Sequence, residues 1–224
     1  MFYIVSDIHG HIRLPWLKEK LNKVCLTNED YLIITGDAGI CWDSIENKNV
    51  VNFYNSLPCQ TLFVDGNHEN FDILYKFPIV NFNKGKAHKI SEKIYHLMRG
   101  EIYLLNNKTF FCFGGGFSAK VLTKSSPIYV WEEELPNEIE YQNGINNLKK
   151  YNNNIDIILT HSAPTSIIDD NGFSKYPNDK KLLDYLEKIK NNITYSQWYY
   201  GHYHNDVDNE NLSCIYNRII KLED

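Results

Sequence analysis

Short apolar runs, rich in β-branched and aromatic residues, recur along the chain, and each ends in residues that favour turns. Runs of this length with little polar alternation are typical of strands that are buried on both faces of a sheet. We therefore predict buried strands in five stretches: FYIVSD at 2–7, YLIITGD at 31–37, TLFVDGN at 61–67, IDIILTH at 155–161 and QWYYGH at 197–202.

Segments with a helical pattern of apolar residues lie between several of these runs. They cover roughly residues 13–24, 43–57 and 179–191. The last segment has apolar residues at helical spacing, which gives a helix one apolar face: Leu182, Leu183, Leu186 and Ile189. Strands that alternate with helices at the start of the chain predict an α/β fold.

The middle of the chain has a different pattern, in which three apolar stretches follow one another closely. Asn106 and Asn107 form a turn signal between the last two of them. This pattern predicts antiparallel strands, in a second sheet or as an extension of the first: 94–98, 102–105 and 109–113. We predict one more strand at 213–220. The chain has no internal repeat, long linker or shift in composition, so we predict a single domain over residues 1–224.

The overall composition agrees with such a domain. A chain of 224 residues can bury a substantial core. Its 43% hydrophobic and 23% charged residues are typical of a soluble globular protein. The formal net charge of −5 is not the basic footprint expected of a protein that binds duplex nucleic acid.

The cysteines and the amino terminus bear on the cellular compartment. The five cysteines are odd in number and widely spaced, which favours neither a disulfide framework nor a thiolate zinc site. We expect them to be reduced, as in the cytosol. The chain reaches Asp7 too early for a signal peptide, and no apolar run is long enough to span a bilayer. We therefore predict a cytoplasmic protein without a membrane partner.

Polar residues that can bind metals follow each predicted buried strand. In open α/β sheets, functional groups gather beyond the carboxyl ends of the strands. Each set alone is a common pattern, but five in succession point to one metal site at this edge of the sheet. The sets are Ser6-Asp7-Ile8-His9, Gly36-Asp37, Gly66-Asn67-His68-Glu69, Thr160-His161 and Gly201-His202-Tyr203-His204.

The residue types in these sets indicate the chemistry. Asp, His and Asn side chains are oxygen and nitrogen donors suited to Mn, Fe or Zn, and they are too numerous for one structural zinc. One carboxylate can bridge two cations about 3.5–4 Å apart. The sequence thus suggests two metals, a shared carboxylate and a bound hydroxide, an arrangement suited to in-line attack on phosphorus.

The same residues resemble the five sequence blocks of the calcineurin-like metallophosphoesterases. The resemblance runs from residue 4 to about residue 205 and rests on DIH (7–9), GD (36–37), GNHE (66–69), TH (160–161) and GHYH (201–204). It implies an α/β fold that is a four-layer α/β/β/α sandwich. Two stacked mixed β-sheets would be flanked by helices, with a dinuclear metal site at the carboxyl ends of the strands.

The resemblance also implies a role for each site residue. One metal would be held by Asp7, His9 and His204, the other by Asn67, His161 and His202, with Asp37 bridging the two. His68 would face the substrate and protonate the leaving oxygen as general acid, while Ser6, Gly36 and Glu69 would support the ligands. The cofactors would be two divalent ions, Mn being our first choice, with Fe, Zn, Ni and Mg open.

The chain departs from the family pattern after Asp37. It reads GDAGICWD where the protein-phosphatase branch reads GDxVDRG, so the phosphate-binding arginine of that branch is missing. A Ser/Thr protein phosphatase is therefore not expected, and phosphate could instead be held by Arg13, Arg99, Lys84, Lys86 or another cation.

Other residues near the blocks have two possible roles each. Gly114–Ser118 follows a strand and could approach a phosphate or a metal. Trp42 could stack on a nucleobase or an aryl group, although core packing is the default for it. His11 could line the site, whereas we expect His88 and His96 to be structural or exposed residues and not ligands.

Together these features predict a dinuclear metal-dependent hydrolase of small phosphate esters, nucleotides included, which would act as a phosphomonoesterase or a phosphodiesterase. The alternatives are a nucleotide or nucleic-acid phosphodiesterase (a nuclease) and, from another class, a non-catalytic protein of this fold that binds metal or phosphate.

Overall fold

The structure, a computed structural model, describes residues 1–42, 44–119 and 131–223. The strands are β1 (Phe2–Val5), β2 (Tyr31–Thr35), β3 (Gln60–Val64), β4 (Ile79–Phe82), β5 (Gly85–Lys89), β6 (Ile94–Leu97), β7 (Glu101–Leu105), β8 (Lys108–Phe113), β9 (Asn154–Thr160), β10 (Thr194–Tyr200), β11 (Val207–Asn209), β12 (Leu212–Cys214) and β13 (Ile220–Leu222). The α-helices are α1 (Leu14–Leu21), α2 (Ile45–Ser56), α3 (Phe71–Leu74), α4 (Glu138–Lys150), α5 (Thr165–Asn171) and α6 (Lys180–Asn192). Two short 3₁₀ helices cover Gly10–Ile12 and Glu132–Glu134.

The strands form two mixed sheets. The first has the order β13-β1-β2-β3-β6-β5-β4, and its centre, β1 to β3 with β6, is parallel. The second has the order β11-β12-β10-β9-β8-β7, and its centre, β8, β9, β10 and β12, is parallel. In both sheets the outer strands are antiparallel to their neighbours. Each sheet therefore has an edge at which the carboxyl ends of several strands meet.

Alternate residues of a strand point to opposite faces of its sheet, so each sheet has two faces to cover. The two sheets pack against each other through one face each. Phe2 and Ile4 belong to the core between the sheets, where Phe2 packs against Phe110 with ring centroids 4.8 Å apart. Tyr3 and Val5 point the other way and pack with residues of α1, α2 and α3. A third core joins the outer face of the second sheet to α4, α5 and α6. The layers are thus α/β/β/α, as the resemblance implied.

Most of the predicted elements are present. The five buried strands correspond to β1, β2, β3, β9 and β10, and the three helical segments to α1, α2 and α6. The three middle stretches correspond to β6, β7 and β8, of which the first joins the first sheet and the other two the second. Among the described residues, no helix is long and apolar enough to cross a membrane.

The strand predicted at 213–220 is wrong. This stretch contains the end of β12, in the second sheet, and the start of β13, in the first. Between them the backbone N–H groups of Tyr216 and Asn217 donate to the carboxylate of Asp206. These side-chain contacts satisfy backbone groups that a continuous strand would use in its ladder, so the chain turns and changes sheets.

Candidate metal centre

The predicted ligands lie in five loops that follow β1, β2, β3, β9 and β10 at one edge of the two sheets. Backbone hydrogen bonds join these loops: Asp7 donates to Gly36, His9 to Asp37, and Gly201 to the carbonyl of His161. The carboxyl ends of parallel strands meet at one edge, and for that reason residues far apart in sequence come together here.

The first group of converging side chains contains Asp7, His9 and His204. The Nε2 atoms of His9 and His204 are 3.1 Å apart. The Oδ1 atom of Asp7 is 3.3 Å from Nε2 of His204 and 3.9 Å from Nε2 of His9. Asp7 is fully buried, whereas His204 is half exposed. Two imidazoles and a carboxylate thus aim their donor atoms at one point, as in a metal site.

A second group contains Asp7, Asp37 and His161, whose ligand atoms lie within 4.8 Å of one another. The Oδ2 atom of Asp37 is 3.5 Å from Nε2 of His161 and 3.7 Å from Nε2 of His9. Asp7 belongs to both groups, and Asp37 faces His9 of the first group as well as His161 of its own.

Asn67 and His202 complete the set on the side of His161. The Oδ1 atom of Asn67 is 3.1 Å from Nε2 of His161. The rings of His161 and His202 meet edge to face with centroids 5.0 Å apart. The backbone N–H of His202 donates to Oδ2 of Asp7 over 3.1 Å, which ties this loop to the first group. The imidazole of His202 belongs to neither group of converging ligand atoms.

The electrostatics of the centre suit cations. Burial opposes ionisation of Asp37, but the neighbouring histidines outweigh it and hold its pKa below the ordinary value. Burial also opposes the charge on His161, yet Asp37 raises the pKa of this imidazole to about 9. Burial, together with the charge of His161, lowers the pKa of His202 to about 3, so His202 is neutral, the form that binds metals. The buried carboxylates thus need positive charge, and the donor set fits divalent metals.

Hydrogen bonds fix which ring atom of His161 can bind a metal. Its Nδ1 lies 2.9 Å from the carbonyl oxygen of Thr35, which can only accept, so Nδ1 carries the proton. In the neutral imidazole the lone pair that can bind a metal is then on Nε2, and this atom points at Asp37 and Asn67. Such a carbonyl contact is the usual way in which a protein orients a metal-binding histidine.

The backbone at the ligands is unusual. Five of the seven predicted ligands have φ angles between 47° and 70°, in the left-handed region: Asp7, His9, Asp37, His202 and His204. Residues other than glycine adopt this region at a cost of about 1–3 kcal/mol each, and such residues cluster at functional sites. The surrounding hydrogen bonds hold the five in place and preorganise the centre.

Residues behind the ligands support them as the sequence suggested. The Ser6 hydroxyl donates to the carbonyl of Thr35 over 3.0 Å, and the buried carboxylate of Glu69 accepts from the N–H of Ala38 over 2.7 Å. The ring of His161 lies directly against Gly36, where a side chain would collide with it. These contacts join the loop after β2 to the loops after β1, β3 and β9.

Sequence reasoning missed a pair of residues that orient Asn67. The Nδ2 of Asn67 donates to Oγ of Ser118 over 3.0 Å, which leaves Oδ1 turned toward His161. The N–H of Ser118 in turn donates to Glu134 over 3.1 Å. Burial raises the pKa of Glu134 to about 7. Gly114–Ser118 therefore lies against the metal ligands, one of the two roles expected for it, and only its position after a strand signalled this.

His68 lies beside the predicted ligands with its side chain open to solvent. Its side chain is exposed, and its ring lies 5.2 Å from that of His9, centroid to centroid. Its backbone N–H donates to Oδ1 of Asp37 over 2.7 Å, so Oδ2 of that carboxylate is left to face the metal positions.

Two cavities meet at His68. One, of about 390 Å³, is lined by the predicted metal ligands Asp37, Asn67, His202 and His204, and we call it the metal cavity. The other, of about 300 Å³, is lined by His9, Gly10, His11, Ile12, Gly39, Trp42, Ser44, Asn47, Val50 and His68, and we call it the Trp42 cavity. His11 thus lies beside the site without belonging to either ligand group.

The four cations considered for phosphate binding lie elsewhere. Arg13 donates to the carbonyls of Asp7 and Tyr216, and its guanidinium is 3.8 Å from the centroid of the Tyr216 ring. Arg99 is buried and paired with Asp65. None of the described residues that line either cavity at His68 is Arg13, Arg99, Lys84 or Lys86. The expectation that one of them binds phosphate here is not supported, because the two arginines hold protein groups instead.

His88 and His96 have the structural role that was expected. Both are buried, and their Nδ1 atoms are 3.0 Å apart. The Nε2 of His96 lies 3.1 Å from Oδ1 of Asp65, whose other oxygen accepts from Arg99. Asp65, the carboxylate of this buried network, directly precedes the Gly66-Asn67-His68 loop in the chain. Sequence reasoning did not single out Asp65.

Comparison with known proteins agrees with the fold. A family model described as calcineurin-like phosphoesterase matches residues 1–206. The chain belongs to the calcineurin-like phosphoesterase family. Membership in this family classes the chain with metal-dependent enzymes that hydrolyse phosphoesters, and it confirms the resemblance seen in the sequence. A search of curated proteins gave no significant match.

Solved structures also resemble this calcineurin-like phosphoesterase. A Staphylococcus aureus protein assigned as a 5'-nucleotidase, crystallised with alpha-ketoglutarate, aligns with a TM-score of 0.50 at 14% identity over 96% of this chain. This chain spans about half of that protein, 48% of its length. A phosphopantetheinyl hydrolase from Mycobacterium tuberculosis aligns with a TM-score of 0.46 at 12% identity, over 96% of this chain and 87% of that one. The first likeness concerns the fold alone.

Proposed function

We propose that this protein hydrolyses small phosphate esters with two divalent cations. The observation that carries the proposal is the convergence of imidazole, carboxylate and amide donors from five loops, with Asp37 facing both His9 and His161. Asp7, His9 and His204 would hold one cation, and Asn67, His161 and His202 the other. Bound cations would supply Lewis-acid activation of water and neutralise charge on the phosphoryl oxygens.

His68 would act as the general acid of the reaction. The oxygen of water forms a bond to phosphorus, and water loses a proton to solvent, while the ester P–O bond breaks in line. His68 gives its proton to the departing oxygen, which leaves as an alcohol. The exposed ring beside the metal ligands, on a backbone fixed by Asp37, supports this role.

The substrate would be a small ester, a nucleotide being one class to test. The metal cavity, of about 390 Å³, has room for a phosphoryl group with a modest substituent. Both monoesters and diesters fit this chemistry, and a nuclease that acts on short single strands is the second candidate. Mn remains our first choice of metal, since imidazole and carboxylate ligands suit it. We also retain one domain over residues 1–224 and the cytoplasm as expectations.

Hydrolysis of p-nitrophenyl phosphate and of bis-p-nitrophenyl phosphate tests the proposal. The protein would be stripped of metal with chelator and then resupplied with Mn, Ni, Zn or Mg. We expect metal to restore cleavage, and Asp37→Asn and His68→Ala to remove most of it. Glu92→Gln, a change at an exposed carboxylate far from every predicted ligand in sequence, is the matched control and should retain the activity.

Two results would count against the proposal. Full activity in both Asp37→Asn and His68→Ala would mean that the site is assigned wrongly. Tight metal binding without cleavage of either ester, with any of the metals, would favour a non-catalytic protein that binds metal or phosphate.

A further inference from the structure

The Trp42 cavity borders the reaction site through His68. Of the described residues that line it, only His68 also lines the metal cavity. The ligands Asp37, Asn67 and His202 all open into the metal cavity. The side chain assigned as general acid therefore lies where the metal cavity, which can hold a phosphoryl group, meets the Trp42 cavity, which has no carboxylate among its described lining residues.

We propose that the Trp42 cavity binds the leaving group of the substrate, and that this group is an uncharged, planar aromatic ring. The inference rests on the proposed function. A general acid must lie within hydrogen-bond reach of the leaving oxygen, so the rest of the leaving group extends from a point beside His68. With the phosphoryl group on the metal ligands, the Trp42 cavity is the space that this point adjoins.

The lining of the cavity selects an uncharged group. None of the described residues around it is Asp, Glu, Lys or Arg, and the surface is mostly apolar, with Ile12 and Val50 among its walls. An ammonium would lose its hydration there without gaining a carboxylate, and a second phosphate or a carboxylate would find only imidazoles and uncharged polar groups. A volume of about 300 Å³ is at the lower end for ligand sites and suits one or two fused rings.

Trp42 is placed to stack on such a ring. The three apolar cores include Trp16, Trp131 and Trp198 but not Trp42, so the default expectation of core packing does not hold for it. Trp131 meets the Trp42 ring edge to face at 5.8 Å and itself donates to Asp72 over 3.2 Å. The indole of Trp42 is thus held in place while it lines the cavity, and a fixed aromatic surface favours a planar partner.

The side chain of Asn47 offers a hydrogen-bonding group to a bound ring. Asn47 lines the cavity, and its Oδ1 is a buried side-chain oxygen without a hydrogen-bond partner among the described residues. A buried acceptor left without a partner is costly, and a turn of the Asn47 amide toward the cavity would let an amino or hydroxyl group on the ring satisfy it. Nucleobases and substituted phenols both offer such donors.

A pair of esters that differ only in the leaving alcohol tests the inference. Benzyl phosphate and n-propyl phosphate have alcohols of similar acidity, so the ratio of their kcat/KM values reports recognition of the ring. We expect the wild-type enzyme to favour the benzyl ester. Trp42→Ala should lower the ratio by about 10-fold or more, the loss typical of an aromatic stack, and Trp42→Phe should keep part of it.

Two aromatic residues of the metal cavity provide matched controls, Phe117 and Tyr176. Their change to alanine should leave the ratio of the two esters as in the wild type. The inference is overturned if Trp42→Ala leaves the ratio unchanged, or if Phe117→Ala or Tyr176→Ala lowers it instead. In either case hydrolysis itself continues, and the proposed function stands.

A binding measurement separates failure of the inference from failure of the proposed function. The four tryptophans give four indole N–H resonances in a ¹H–¹⁵N spectrum, and Trp42→Phe assigns the one that matters. We expect adenosine and benzyl alcohol to shift this resonance, and n-propanol not to. If neither ester is hydrolysed, the proposed function fails. A shift would then still support an aromatic site at Trp42, and no shift would overturn it.

Discussion

Replacement of Arg99 by methionine should destabilise the fold strongly although Arg99 lies at neither cavity of the site. The guanidinium is buried and donates through Nε to Oδ2 of Asp65 over 2.9 Å and through Nη1 to Glu140 over 3.1 Å. Its Nη2 also donates to the backbone carbonyl of Glu133 over 2.6 Å. Arg99 therefore ties the end of β3 to the turn before α4 and to α4 itself.

The magnitude follows from what the substitution leaves behind. Methionine fills much of the arginine volume, but the carboxylate of Asp65 stays buried and keeps only His96 as a partner. Removal of one member of a buried ion pair typically costs about 3–5 kcal/mol. A protein of this size is stable by about 5–15 kcal/mol in total, so the variant should lose a large share of its stability.

Urea unfolding followed by far-UV circular dichroism measures the effect, and a double-mutant cycle isolates it. Asp65→Asn combined with Arg99→Met removes both charges, and we expect the double variant to lose less than the sum of the single losses. Lys86→Met is the matched control at an exposed cation and should change the free energy of unfolding by less than about 0.5 kcal/mol.

The dependence on pH gives a second test of the same contact. Burial opposes ionisation of Asp65, but Arg99 and His96 outweigh it and lower its pKa below the ordinary 3.8. The native state therefore gains this stabilisation above pH 3.8 and loses it as the pH falls through the lowered value. Without Arg99, burial raises the pKa of Asp65. Acid then protonates the buried carboxylate and removes its unpaired charge, so the difference in free energy of unfolding between variant and wild type should narrow toward pH 4.

The reasoning would be refuted by an Arg99→Met variant within about 1 kcal/mol of the wild type at pH 7, which is below the usual cost of an orphaned buried charge. A gap that widens on acidification would also contradict it, since that would mean that the loss of Arg99 does not raise the pKa of Asp65.

Three further outcomes follow from the metal centre. Ser118→Ala should weaken Mn²⁺ binding at one of two sites by about 10- to 100-fold in calorimetry, whereas Ser118→Thr keeps the hydroxyl and should bind Mn²⁺ more tightly than the alanine variant. Equal Mn²⁺ affinities of Ser118→Ala and the wild type would contradict an orienting role for Ser118. Gly66→Ala should abolish metal binding because its Cβ would overlap the carboxylate of Asp37. Gly172→Asn places a residue that tolerates left-handed backbone at a glycine with φ 66° and open space around it, and this variant should bind metal normally. His161 has a pKa raised from 6.5 to about 9, so its ion pair stabilises the metal-free protein fully below pH 6.5 and is lost as the pH rises through about 9. Urea unfolding between pH 7 and 10 should show this fall in the metal-free protein, and a flat profile would contradict it.

The parts of the fold that sequence could predict are those with a repeating physical signal. The runs that became β1, β2 and β3 are apolar at nearly every position because both faces of each strand are buried. The residues at 213–220 look equally apolar at both ends, but between them the carboxylate of Asp206 accepts hydrogen bonds from the backbone. A contact of this kind leaves no periodic pattern in the sequence.

The candidate site shows the same division. The predicted ligands could be found because they follow strand ends in a recurring pattern, and the structure brings them to one edge. Ser118, Glu134 and the pair of Asp65 with Arg99 could not, since each is a single contact between residues distant in sequence. The number and identity of the metals and the role of His68 stay predictions.

The left-handed backbone at Asp7, His9, Asp37, His202 and His204 limits how the centre could be altered. Asp, Asn and His enter this conformation several-fold more readily than other side chains, and β-branched residues scarcely enter it. Glutamate or cysteine could offer a donor atom at these positions, but the backbone there would resist either. Attempts to redirect the centre to another metal by exchanging ligands are therefore confined to a short list of residues, set by chain conformation as much as by coordination chemistry.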